Sequence, residues 1–182
     1  MSTKWLFALV GMLAASAGTA LWLATRPASS VQDVTPSVSP GAVMATTFRD
    51  TQGRPRSLGE FQGKAVVLNF WATWCAPCRE EMPVFQRLQA KWAGRVQFVG
   101  VSAEDAPKVA EFAKRLGITY PLWVGGDEAL ELSRRLGNRR GVLPHTVIFD
   151  GDQTILTSRV GAYPEVDLDA ALHLISGNSG QK

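Results

Sequence analysis

Three kinds of apolar pattern follow one another along the chain. The first is a single long run near the start: from Trp5 to Ala24, WLFALVGMLAASAGTALWLA, no residue is charged, and Lys4 and Arg26 bracket it. The second is short and nearly continuous, as in KAVVLNFWA (64–72) and RVQFVGVS (95–102), and predicts strands buried on both faces. The third has helical spacing. Phe85, Leu88 and Trp92 recur at i, i+3 and i+7 after Pro77, and Val109, Phe112, Ala113 and Leu116 share one face of APKVAEFAKRLG. Gly94 ends the first of these helices, and Pro83 inside it predicts a kink. Farther on, YPLWVGG predicts a short strand and DEALELSRRLG a helix. HTVIFD and TILTSRVG then predict two strands joined at Asp150-Gly151, and PEVDLDAALHLISG a last helix turning Leu168, Ala171, Leu172 and Ile175 inward. Upstream, Ala45 to Asp50 and Arg54 to Ser57 flank TQG and predict a hairpin, with Gly53 at the turn and Pro55 suited to an edge. A β-α-β-α start followed by a hairpin and a helix predicts an α/β fold with a mixed central sheet flanked by helices.

The long apolar run changes the picture of the whole chain. About twenty apolar residues span a bilayer as a helix, so residues 1–26 are expected to form one N-terminal transmembrane signal anchor. The competing expectation is a signal peptide cleaved at Ala15-Ser16-Ala17. With the anchor, the folded part faces the periplasmic or extracytoplasmic side of the cell membrane; with cleavage, it is soluble in the periplasm. TRPASSVQDVTPSVSPG (25–41), rich in Pro, Ser and Thr, predicts a flexible tether over residues 27–41. The folded domain is expected at 42–177 and a disordered tail at 178–182. The formal charge is +3, but with Lys4 and Arg26 set aside 17 basic residues face 16 acidic ones, which leaves no electrostatic case for a nucleic-acid or anionic-lipid partner.

The candidate chemistry is concentrated in NFWATWCAPCREEMP (69–83), which holds both cysteines of the chain. A structural disulfide between Cys75 and Cys78 would constrain the unfolded chain little, because the entropic gain grows with loop length. A structural zinc site needs four ligands, and outside the pair there is no further cysteine and only His145 and His173. A reversible dithiol fits best. Cys75 lies where the helix that follows the first long strand begins, and a helix N-terminus stabilises a thiolate. Cys78, one turn in, is suited to attack a mixed disulfide from behind. Pro77 fits the first turn, where its missing N–H costs nothing. Glu81 shares a helical face with Cys78, yet in the REE run it also reads as a solvated carboxylate of the helix start.

The strand, the WATWCAPC turn, the proline-containing helix and the later VLPHTVIFD together resemble the thioredoxin fold. In particular they resemble the TlpA/ResA-like branch of membrane-anchored, extracytoplasmic thiol-disulfide oxidoreductases, from about Ala42 to Ser176. The F.D..G lead-in at Phe48 to Gly53 and GEFQGK fit that branch, which adds an N-terminal β-hairpin to the thioredoxin core. The resemblance implies that Cys75 is the exposed nucleophile and Cys78 the resolving cysteine. It implies that Glu81 is a buried acid assisting proton movement, and that Pro144 is a cis-proline facing the disulfide and leaving the Leu143 backbone open to a substrate strand. Trp74, Ala76, Pro77, Leu143, Pro144 and His145 are then the expected substrate-binding positions. Trp74 is expected in an apolar collar, whereas Trp71 is divided between collar and packing. His145 departs from the family pattern, in which Thr or Glu often follows this proline; it is a candidate to tune the thiolate or touch substrate, while a lone histidine more often reads as structural or exposed. The Arg134-Arg135 and Arg139-Arg140 pairs read as solvated surface.

The function so implied is reduction of disulfides in client proteins, with apocytochrome c as a client and a membrane thiol donor of the DsbD/CcdA type as the electron source. No cofactor and no metal beyond the dithiol is called for. Two alternatives remain open at this level: a copper-binding assembly protein using Cys75, Cys78 and His145, and a disulfide oxidase or isomerase on the same fold.

Overall fold

The computed structural model describes residues 38–178. The expected anchor, most of the tether and the last four residues lie outside the described residues. Among those described, no helix is long and apolar enough to cross a membrane.

The elements are α1 (Pro40–Ala45), β1 (Thr47–Asp50), β2 (Pro55–Ser57), a 3-10 turn (Leu58–Phe61), β3 (Ala65–Trp71), α2 (Ala76–Lys91), β4 (Val96–Ser102), α3 (Ala106–Leu116), β5 (Leu122–Val124), α4 (Gly126–Arg135), β6 (His145–Phe149), β7 (Ile155–Val160) and α5 (Glu165–Asn178). They form one seven-stranded sheet in the order β2-β1-β5-β4-β3-β6-β7. β3 and β5 run parallel to β4 at the centre, while β6 pairs antiparallel with β3, β7 with β6, β1 with β5 and β2 with β1. This is the thioredoxin-like arrangement of a mixed sheet between helices.

Side-chain alternation along β3 explains why every one of its residues is buried. Ala65, Val67 and Trp71 face one apolar cluster, packed with Cys78, Met82, Phe85 and Leu88 of α2, Val109 and Phe112 of α3, and Leu168 and Leu172 of α5. Val66, Leu68 and Phe70 face the other, packed with Val43 and Met44 of α1 and Ala129 and Leu132 of α4. Helices on both faces exclude water from the central strand, which is the reason for its near-continuous apolar sequence. On the first face Trp71 needs room, and Gly100 of β4 supplies it: a Cβ there would lie 3.0 Å from the indole nitrogen and 2.7 Å from Leu122 Cδ2.

The start of the domain differs from the sequence expectation. Residues 40–45 form a short helix capped by Ser39, so β1 begins at Thr47 rather than Ala45. Pro40 at the first helical position starts it, and burial of Val43 and Met44 holds it in place. The β6-β7 turn lies at Asp150-Gly151 as expected, and it takes its left-handed residue at Gln153, φ 67°. Asp150 Oδ1 fixes that turn by accepting the N–H groups of Asp152 and Thr154.

Candidate active site

β3 ends at Trp71, and Ala72 to Trp74 carry the chain over the edge of the sheet to Cys75, the N-cap of α2. The turn is tied down from the loop that follows β4. Glu104 accepts hydrogen bonds from the Thr73 N–H and from Thr73 Oγ1, the latter at 2.9 Å, and Arg79 donates to the Thr73 carbonyl at 3.2 Å. Cys75 Sγ accepts the Cys78 N–H at 3.3 Å, taking the place of an N-cap oxygen. A thiolate at that atom would meet the unpaired N–H groups of the helix start. Cys75 and Cys78 are joined by a disulfide. Cys75 is 5% exposed and Cys78 is fully buried. The pair is therefore approachable only from the side of Cys75, past the exposed Ala76 and Pro77. Trp74, 69% exposed, stands beside it, whereas Trp71 is buried against Phe112 as packing.

One turn behind Cys78 lies Glu81, only 4% exposed. Its burial follows from the spacing that turns Cys78, Met82, Phe85 and Leu88 inward, while Arg79 and Glu80 of the same run are exposed. Glu81 Oε1 accepts Asn69 Nδ2–H at 2.9 Å, and Oε2 accepts the Tyr163 N–H at 3.1 Å. These bonds favour the carboxylate, but desolvation outweighs them and pushes its pKa from 4.5 up to about 7. The solvated-carboxylate alternative does not describe this group. Asn69 and Tyr163, which hold it, and Thr146, which accepts the other Asn69 Nδ2 hydrogen, carry no local sequence signal: Asn69 sits inside an apolar run and the others are far along the chain. A polar residue in the centre of KAVVLNFWA was the one available hint.

The Leu143-Pro144 peptide is cis. Phe70 of β3 pairs with His145 of β6, so Pro144 sits beside the end of β3, at the sheet edge from which the cysteine turn departs. Leu143 packs against both apolar clusters, including the one that contains both cysteines. His145 requires a correction. Strand alternation sends its side chain to the opposite face, where it stacks on Phe70 and has no exposed surface. Ser158 Oγ donates its proton to the Leu136 carbonyl at 2.8 Å and so accepts from His145 Nε2 at 2.8 Å. His145 Nδ1 then accepts from Ser133 Oγ at 2.9 Å. Both ring nitrogens are engaged in a neutral tautomer, and burial draws the pKa from 6.5 down to about 4. His145 therefore touches neither substrate nor sulfur, and the three-ligand copper set of Cys75, Cys78 and His145 does not assemble. Among the described residues no group of three or more His, Cys, Asp or Glu side chains could hold a metal ion.

Comparison with known proteins gives a consistent picture. Residues 28–172 match the Redoxin family. The chain is 33% identical over 134 residues to the thioredoxin-like protein YneN of Bacillus subtilis, covering 70% of this chain and 75% of that protein. It is 32% identical over 130 residues to the thiol-disulfide oxidoreductase ResA of Geobacillus thermodenitrificans, covering 69% and 71%. Among solved structures it resembles a thioredoxin-family thiol:disulfide interchange protein of Chlorobium tepidum, with a TM-score of 0.65, 28% identity and coverage of 79% of this chain and 98% of that one.

Proposed function

The chain belongs to the Redoxin family and is a thiol-disulfide oxidoreductase; on that premise we propose that it acts as a reductant, tethered by residues 1–26 on the extracytoplasmic side of the membrane, toward disulfides of client proteins. The observation that carries this reading is the buried carboxylate of Glu81 one helical turn behind the inaccessible Cys78.

In the proposed cycle the Cys75 thiolate attacks one sulfur of a client disulfide, and the client's other sulfur leaves as a thiolate that takes up a proton. Cys78 then gives its proton to the Glu81 carboxylate and attacks Cys75 Sγ; the client's second sulfur leaves as a thiolate and takes up a proton, and Glu81 returns its own to solvent. The client gains two electrons and two protons, and the Cys75–Cys78 disulfide re-forms. A pKa of about 7 suits Glu81 to this exchange, because near neutral pH it is divided between acid and base. The same group supports the direction. A helix N-terminus alone stabilises the thiolate and with it the reduced state, making a pair oxidising. A buried carboxylate and a buried resolving thiol oppose that charge and favour release of electrons. A membrane thiol donor of the DsbD/CcdA type would restore the dithiol. Apocytochrome c, whose haem-attachment cysteines must be reduced, is the proposed client by likeness to the ResA group.

A Cys78→Ser variant of the full chain tests this reading in its native membrane. Covalent complexes through Cys75, released by dithiothreitol and identified by mass spectrometry, are expected to contain c-type apocytochromes. Equal capture through Cys78 in a Cys75→Ser variant would overturn the assignment of roles.

A further inference from the structure

The loop that carries the cis-proline is gripped from behind by one side chain. Asn138, 1% exposed, follows α4 and folds its amide back onto Val142. Its Nδ2 donates to the Val142 carbonyl at 2.8 Å, and its Oδ1 accepts the Val142 N–H at 3.1 Å. Two such bonds to one residue are what a strand neighbour supplies in an antiparallel ladder; here a side chain supplies them. Nδ2 also donates to Ser133 Oγ at 2.9 Å, which ties the grip to the α4 side of the His145 network. The backbone closes the loop further, with the Gly141 N–H donating to the Asn138 carbonyl at 2.9 Å. On the far side, the Pro144 carbonyl accepts the Gly161 N–H at 2.8 Å. Between these two anchors, the Leu143 N–H and carbonyl have no hydrogen bond among the described residues.

Backbone groups that fold against a protein core are normally paired. A loop that pairs Val142 and Pro144 and leaves Leu143 open between them is set up to receive another strand. We propose that Asn138 is a positioning residue for client recognition: by fixing Val142 it presents the Leu143 backbone, which packs against the cluster containing the disulfide, to an extended peptide segment of the client. This rests on the reading of the protein as a reductant of peptide disulfides. Main-chain pairing makes small demands on client sequence, and the half-exposed Val142 side chain adds an apolar contact at the rim. Without the amide, the segment Arg139-Arg140-Gly141 has to be ordered when the client arrives, a cost that falls on binding rather than on sulfur exchange.

The test compares the full chain with its Asn138→Ala variant on two oxidants: a disulfide-bridged peptide, and a small aromatic disulfide that offers no backbone to pair with. Asn138→Ala is expected to raise KM for the peptide about tenfold while kcat, and the rate with the small disulfide, stay within about twofold. Asn138→Ser, which can still satisfy Ser133 but cannot span Val142, carries the same test where the alanine variant melts below the assay temperature. Val99→Ala, a buried β4 substitution that leaves the Asn138 hydrogen bonds untouched, controls for lost stability. An unchanged peptide KM, or peptide and small-disulfide rates that fall together as in Val99→Ala, overturns the inference. Wild-type protein inert toward both oxidants overturns the reductant reading as well.

Discussion

Asn69 donates one Nδ2 hydrogen to Glu81 Oε1 at 2.9 Å and the other to Thr146 Oγ1 at 3.0 Å, so a single amide joins β3, α2 and β6 inside the core that contains both cysteines. No ion pair reaches Glu81 among the described residues. Hydrogen bonds from Asn69 and Tyr163 therefore hold a carboxyl group that its surroundings favour as the neutral acid. A group so balanced exchanges its proton within the pH range in which thiols react.

Removing the Asn69 donor is expected to tip that balance. In Asn69→Ala the carboxylate loses one of two hydrogen bonds that favour its charged form, so the pKa of Glu81 moves above 7 by about one unit. The rate at which Cys78 resolves a mixed disulfide, measured against pH, should show its acidic limb displaced upward by that amount. An unchanged profile means that the proton is handled elsewhere.

Two buried groups act on stability with opposite sign. Glu81, raised to about 7, binds its proton more tightly when folded, so its contribution is present at low pH and is lost as pH rises from about 4.5 to 7. His145, lowered to about 4, binds its proton more tightly when unfolded, so its contribution grows as pH rises from about 4 to 6.5. Each change is on the order of 3 kcal/mol. The two offset one another, and urea denaturation of the wild-type protein should vary little between pH 4.5 and 6.5. Glu81→Gln should expose stability that rises with pH across that window, and His145→Gln stability that falls. The ion-paired Asp50, Glu60 and Asp169 have lowered pKa values, so their contributions are lost only on acidification below the ordinary carboxylate range. Parallel profiles in all three proteins contradict the assignment.

Gly100→Ala tests the packing beneath the cysteine turn. The added methyl must displace Leu122 or the Trp71 indole, in a site where Trp71 is fully buried. A loss of about 1–3 kcal/mol is expected, the usual cost of overpacking a filled core, read from denaturation of the disulfide form. A neutral substitution would mean that Leu122 or Trp71 is free to move.

Much of the site was legible in the sequence because its signals are local. Helical spacing placed Cys75 at the helix start and set Cys78 and Glu81 on one face, and the apolar run before them identified the central strand. What was not legible depends on pairing between distant segments. Whether His145 or Thr146 faces the sulfurs is decided by the register of β6 on β3, and a one-residue difference exchanges the two faces. Asn138 likewise gains its meaning only when the loop returns to Val142. α1 escaped notice because six residues are too few for periodicity, and only burial of Val43 and Met44 makes the helix persist.

The reduction potential of the Cys75/Cys78 couple, measured in the full chain by equilibration with defined dithiol buffers at pH 7, tests the proposed direction of electron flow most directly. A potential near or below the roughly −200 mV of glutaredoxins, toward the −270 mV of thioredoxin, is the expected result. It should become more reducing by close to 60 mV per pH unit where two protons accompany two electrons. A potential near the −120 mV of a strong disulfide oxidant would contradict the account, because the pair would then take electrons from its clients rather than supply them.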